Sequence, residues 1–143
     1  MATIAELLLE RRLERVGVDR DEAQALLEHA RSHLRSAAKI LDDDAPGAYQ
    51  LAYDATRKAV AAHMAANGYR AKSDGAGAHA AVVAYAEEAL ADAAREESLR
   101  HFDRMRRVRN RIEYGDVTIG RAQVKTDLAH AKEIVRAAAM SIG

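Results

Sequence analysis

Apolar residues recur at three- and four-residue intervals along most of the chain, the period of a helix packed on one side. Ile4, Leu7, Leu8 and Leu13 predict a first helix over residues 3 to 16, stopped by Gly17. Asp19 is placed to cap a second helix, in which Leu27, Ala30, Leu34, Ala37 and Leu41 share a face. That helix is expected to end at the acidic run Asp42 to Asp44, where carboxylates suit the start of the next one, and Pro46 takes a first-turn position. A third helix, Pro46 to Asn67, carries Tyr49, Ala52, Tyr53, Thr56, Val60 and Met64, with Asn67 and Gly68 as its stop. Residues 69 to 77 lack periodicity and read as a loop. A fourth helix over 78 to 95 buries Val82, Val83, Ala86 and Leu90. A fifth starts near Glu97, buries Leu99, Phe102, Met105, Val108 and Ile112, and ends at Gly115. A sixth over 118 to 141 aligns Val124, Leu128, Ala131, Val135 and Ala138, with Asp116 or Thr118 as its cap. The fold class expected is all-α. It is an antiparallel bundle of four to five long helices with an extra N-terminal helix, in one domain spanning 1 to 143.

Composition reinforces the pattern. Alanine is abundant and strand-favouring residues are sparse, so the core must be built from Leu, Val, Ile, Met and Ala at close helix spacing. There is no cysteine, which excludes disulfides, thiolate metal sites and cysteine nucleophiles and suits a reducing cytoplasm. The first ten residues do not read as a secretory leader, and no apolar run approaches membrane-spanning length, so no membrane association is expected. Basic and acidic side chains number 22 each, so any case for a polyanionic partner rests on local clustering.

The strongest cluster lies on the fifth helix. Arginines stand at 100, 104, 106, 107, 109 and 111, with Asp103 the only acid among them. Such a band can contact phosphates, and Arg104, Arg106, Arg107 and Arg111 are the candidates. The alternative is a solvated face paired with Glu88, Asp92, Glu96 and Glu97. At the helix end, Arg109 and Glu113 are spaced to pair, while Arg106, Asn110 and Tyr114 form one row. A cation, an amide and a phenol on one stripe suit a site for an anionic ligand, or the polar centre of a two-fold interface. The loop adds Arg70 and Lys72, which can reach a ligand or partner or be simply solvated; it lacks the Gly-Lys-Ser ending of a phosphate loop.

Of the six histidines, His29 and His33 have a metal-compatible spacing but lack an accompanying ligand pattern. No metal and no cofactor is expected. His63 sits by the apolar stripe as a satisfied core residue, and His101 and His130 read as surface positions. His79 opens a helix directly after the glycine loop, where its ring can approach a cleft and anions are favoured.

The run from Arg107 to Asp116, Arg-Val-Arg-Asn-Arg-Ile-Glu-Tyr-Gly-Asp, resembles the signature of HEPN domains: an Arg, a polar residue that is often Asn, and a His a few positions on. Ala48 to Ala59 is similar to the HEPN helix of aromatic and small residues. The stretches at Gly68 and at Gly77 to His79 resemble the loop and helix start that follow it. The resemblance covers residues 22 to 140 and implies a bundle of four or five helices that forms a two-fold homodimer. It further implies a metal-independent ribonuclease of toxin–antitoxin or defence systems, or an inactive module that binds RNA, a nucleotide, a nucleotidyltransferase or an antitoxin. Arg109 and Asn110 match the motif, and Tyr114 stands where the family carries its His. A phenol with a pKa near 10 is a poor base at neutral pH but can donate to a phosphate or stack on a base. The catalytic candidates are therefore Arg109, Asn110 and Tyr114, with His79 as a substitute for the missing histidine.

Overall fold

A computed structural model describes residues 2–72, 76–115 and 118–142, with the side chain of Ala76 left out. The chain runs α1 (Ile4–Leu9), β1 (Leu13–Arg15), α2 (Arg20–Ile40), α3 (Ala45–Asn67), β2 (Tyr69–Ala71), α4 (Ala76–Ala89), α5 (Glu96–Glu113) and α6 (Arg121–Met140). Among the described residues it is thus a helical structure with a single two-stranded sheet.

Local chemistry explains the starts of the first three helices. Asp19 caps α2 by accepting from the Glu22 N–H at 2.9 Å, and Asp44 caps α3 by accepting from the Gly47 N–H at 2.9 Å. Gly68 ends α3 in the left-handed conformation, with φ of 81°. Neighbouring contacts give the directions. The Asp19 N–H reaches the Ala65 carbonyl, and Lys58 reaches His33, so α2 and α3 are antiparallel. Arg95, the N-cap of α5, and Ser98 and His101 within it meet Glu133, His130 and Asp127 of α6, an antiparallel pairing as well. Helix α3 is the hub, touching α2, α4, α5 and α6. Its alanines at 48, 52, 55, 59 and 62 are fully buried and let α2 and α6 approach closely. Tyr49, Tyr53, Tyr85 and Phe102 are the largest fully buried side chains.

Three expectations are corrected. The first helix stops at Leu9 rather than continuing to 16: a capping box between Thr3 and Glu6 starts it, and the chain turns at Arg11, whose φ is 58°. Leu13–Arg15 instead forms β1, paired antiparallel with β2 in the register Leu13 with Ala71, Glu14 with Arg70 and Arg15 with Tyr69. Leu13 is buried in the core by this pairing. The expected loop therefore begins as a strand, because the left-handed Gly68 sends the chain back alongside residues 13 to 16. Second, α4 ends at Ala89, although Leu90 and Ala94 stay in the core. Side chains of α6 terminate this turn: Arg136 donates to the Ala93 carbonyl at 3.0 Å, and Glu133 accepts from the Arg95 N–H at 3.2 Å. Third, α6 starts at Arg121 with Gly120 as its N-cap and no side-chain cap, so Thr118 does not serve as one; Asp116 lies outside the described residues. Among the described residues no helix is long and apolar enough to cross a membrane.

Candidate functional site

The arginine band of α5 divides once its partners are located. Arg100 pairs with Glu96 at 2.9 Å on the open surface. Arg106 reaches Asp103 at 3.1 Å, and Arg107 binds the other oxygen of the same carboxylate. Burial acts to raise the Asp103 pKa, but the bonds from Arg107 and Arg106 outweigh it and hold the group below the usual carboxylate range. Arg104 and Arg111 are exposed and have no ion pair among the described residues. The acids that meet this band are thus mainly Asp103, Glu96 and Glu113, not Glu88, Asp92 and Glu97.

Arg109 behaves differently. Its side chain is only 21% exposed; it pairs with Glu113 at 3.4 Å and places its guanidinium 5.7 Å from the centre of the Tyr53 ring on α3. Its Nε–H is buried and has no hydrogen-bond partner among the described residues. The Tyr53 hydroxyl in turn lies 3.0 Å from Nδ1 of His79, at the start of α4. Arg57 completes the group from α3: it stands 3.9 Å from Asp54, and its Nε–H is also buried and unpartnered among the described residues. Tyr53, His79, Arg57 and Arg109 thus converge from three helices.

The electrostatics of this cluster are cationic. Burial lowers the His79 pKa, and the charges of Arg57, Arg109 and Arg106 lower it further against the opposing Asp54, so the ring is neutral at pH 7. Burial pushes the Tyr53 phenol up to about 12, with Arg57 and Arg109 acting in the other direction, so it stays protonated. With Nδ1 engaged by Tyr53, His79 has Nε2 left for a ligand. If Nδ1 carries the proton and donates to the phenol oxygen, Nε2 is an acceptor and a base.

His79 and Arg57 also line a groove of about 550 Å³ bordered by Tyr69, Arg70, Asp19 and Glu22. Arg70 is bound to Glu14 across the strand pair, and Lys72 is exposed, its backbone N–H donating to the Arg12 carbonyl. Arg70 therefore reaches the groove rim as half of an ion pair. Asn110 is half-buried with no side-chain hydrogen bond among the described residues. Tyr114 is 79% exposed at the end of α5, and its ring takes no part in the Tyr53–His79 cluster.

Arg57, Tyr53 and Asp54 were not picked out from the sequence as site residues, Tyr53 being read only as part of the α3 stripe, though a signal existed. Helix α3 is apolar along nearly its whole length, and its only charged residues are Asp54, Arg57 and Lys58, within one turn. Charges gathered at one level of a buried helix mark a place where something polar must be met. The other histidines also resolve. His63 is buried and bonded to the Tyr85 hydroxyl at 2.8 Å, a satisfied core histidine as expected. His33 accepts from Lys58 at 2.7 Å, whereas His29 is exposed. His101 and His130 are not surface positions: both are half-buried, with rings stacked 3.9 Å apart.

Compared with protein-family models, curated proteins and solved structures, the chain matches none of them.

Proposed function

We propose that this chain is a HEPN-like, RNA-directed protein that acts as a homodimer and holds RNA phosphates over the Arg57–Tyr53–His79–Arg109 cluster. The observation that carries this reading is a pair of arginine Nε–H groups, on Arg57 and Arg109, that are buried without a hydrogen-bond partner among the described residues, Arg57 Nε facing Asp54 only at 3.9 Å. Unpaired buried donors are costly, and a charged acceptor such as a phosphate oxygen satisfies them with strong, short bonds. Arg109 is also the residue that the HEPN resemblance assigns to phosphate stabilisation. In this reading His79 supplies the imidazole absent from the position of Tyr114, and its neutral Nε2 accepts the proton of an RNA 2′-hydroxyl in a metal-independent cleavage. Tyr114, exposed at the end of the same helix, offers a ring for base stacking.

A direct test uses labelled single-stranded RNA with the purified chain in EDTA. Binding is expected to weaken with salt by roughly 0.7 in log K per log salt for each phosphate engaged. RNA cleavage that persists in EDTA and is lost in His79→Ala supports the ribonuclease. Salt-sensitive binding without cleavage supports an RNA-binding module. No retention at low salt removes the RNA reading. The catalytically inactive module that docks a nucleotidyltransferase or antitoxin then stands in its place.

A further inference from the structure

A second polar cluster lies between α5 and α6, where the paired helices face one another. His101 and Glu97 occupy positions i and i−4 of α5, and His130 comes from α6. One ligand atom from each of the three lies within 4.8 Å of the others. The two imidazole rings are stacked, with centroids 3.9 Å apart and planes 17° apart. Each ring has its Nδ1 already engaged: His101 with Asp127 Oδ1 at 2.8 Å, and His130 with the Ser98 hydroxyl at 2.9 Å. Nε2 is therefore the atom each ring has left.

The partners of those Nδ1 atoms have the character of supports. Asp127 is fully buried, which is rare for a carboxylate, and its Oδ2 has no hydrogen-bond partner among the described residues. The Tyr49 hydroxyl sits beside it as a neutral neighbour. The phenol's pKa is raised by its burial and then by this carboxylate. A carboxylate accepting from the Nδ1–H of a histidine fixes the ring's orientation and makes Nε2 a better donor to a cation, the arrangement found behind metal-bound histidines. A cation on Nε2 would also place a positive charge near this buried carboxylate.

We infer that Glu97, His101 and His130 form a binding site for a divalent transition-metal ion of the zinc type, with Asp127 as the positioning residue behind His101. Two imidazoles and one carboxylate are the donor set that zinc accepts, leaving a fourth position for water. Tetrahedral coordination at about 2.0–2.2 Å requires ligand atoms roughly 3.4 Å apart, and here they lie within 4.8 Å of one another. Glu97 is exposed and free to move inward, and the rings need only splay from their stack. The site shares no residue with the Arg57–His79 cluster and does not depend on the RNA reading.

The test uses the untagged full chain, stripped with EDTA, without RNA. Zn²⁺ is titrated by calorimetry, and Co²⁺ is followed by its visible absorption. One ion per chain is expected, with a tetrahedral-type Co²⁺ spectrum. His130→Gln and Glu97→Gln should each weaken binding at least tenfold, and Asp127→Asn by about 10- to 100-fold. His29→Gln should leave it unchanged. Glu97 is exposed, so Glu97→Gln keeps the fold even if Asp127→Asn does not. Absence of stoichiometric binding overturns the proposal. So does binding that is insensitive to His130→Gln and Glu97→Gln, or that is lost in His29→Gln.

Discussion

Replacing Arg109 by alanine separates the two kinds of arginine on α5. In the free protein the side chain has one ion pair, with Glu113, itself 52% exposed, and one contact over the Tyr53 ring. An exposed pair contributes about 0.2–1 kcal/mol, and a cation over an aromatic ring about 0.5–2 kcal/mol. The variant should therefore lose no more than about 1–3 kcal/mol, a loss that a domain of ordinary stability survives. RNA binding should suffer more sharply. A hydrogen bond to a charged group contributes about 1.5–3 kcal/mol, so losing the buried Nε–H donor weakens RNA affinity about 10- to 150-fold. The slope of log K against log salt should drop by about 0.7, as one phosphate contact is removed from a single strand. Arg107→Ala is the comparison. Arg107 lies on the same helix but is fully exposed and bound to Asp103, so it must give up an existing partner before meeting a phosphate. Fluorescence anisotropy with labelled single-stranded RNA at several salt concentrations measures both variants, and circular dichroism reports that each is folded. Equal weakening by the two variants would show that binding follows the charge of the band rather than the buried donor, and the argument for the Tyr53–His79 cluster would fail.

Three further outcomes test the fold. Gly68→Ala should destabilise more than Gly115→Ala in urea titrations. Both positions have positive φ and cost about 1–2 kcal/mol when a Cβ is added, but at Gly68 that Cβ also meets the Val16 carbonyl at 2.9 Å, whereas nothing lies within 4 Å at Gly115. Equal costs would mean that the β1–β2 return does not hold the end of α3. Asp44→Ala should cost about 1 kcal/mol through loss of the α3 cap, read from the thermal midpoint; an unchanged midpoint would rule the cap out. Burial lowers the folded-state pKa of His63 below 6.5. Above that pH the ring is neutral in both states; below it the unfolded chain takes the proton first, so stability falls from 6.5 down to the folded pKa. His63→Gln should flatten that decline, and an identical pH profile would show that His63 carries no share of it.

Much of what is set by residues within four positions of one another was legible in the chain, although the Thr3–Glu6 capping box and the Arg106 and Arg107 pairs with Asp103 were not. The caps at Asp19 and Asp44, the Gly68 stop and the apolar stripes of α2, α3, α5 and α6 all depend on i to i+4 contacts, and the helical class follows from them. The all-α expectation holds at that level. Pairing between Arg109 and Glu113 was legible for the same reason. Beyond that range the local signal gave out. Residues 10 to 16 have a helical pattern, yet Leu13 to Arg15 pair with a segment more than fifty positions away, and that pairing buries Leu13 where a helix continuing from α1 does not reach. The α4–α5 turn is held by Glu133 and Arg136 of α6, which no local rule connects to it. His101 and His130 looked like surface residues because each faces polar neighbours along its own helix; the burial comes from the facing helix, which stacks one ring on the other and sets Asp127 behind them. The band of six arginines is likewise uniform along the chain. Only the docking of α5 against α3 turns Arg109 toward Tyr53 and leaves Arg107 on Asp103, because side chains sharing a helix acquire different dielectric surroundings only when that helix packs.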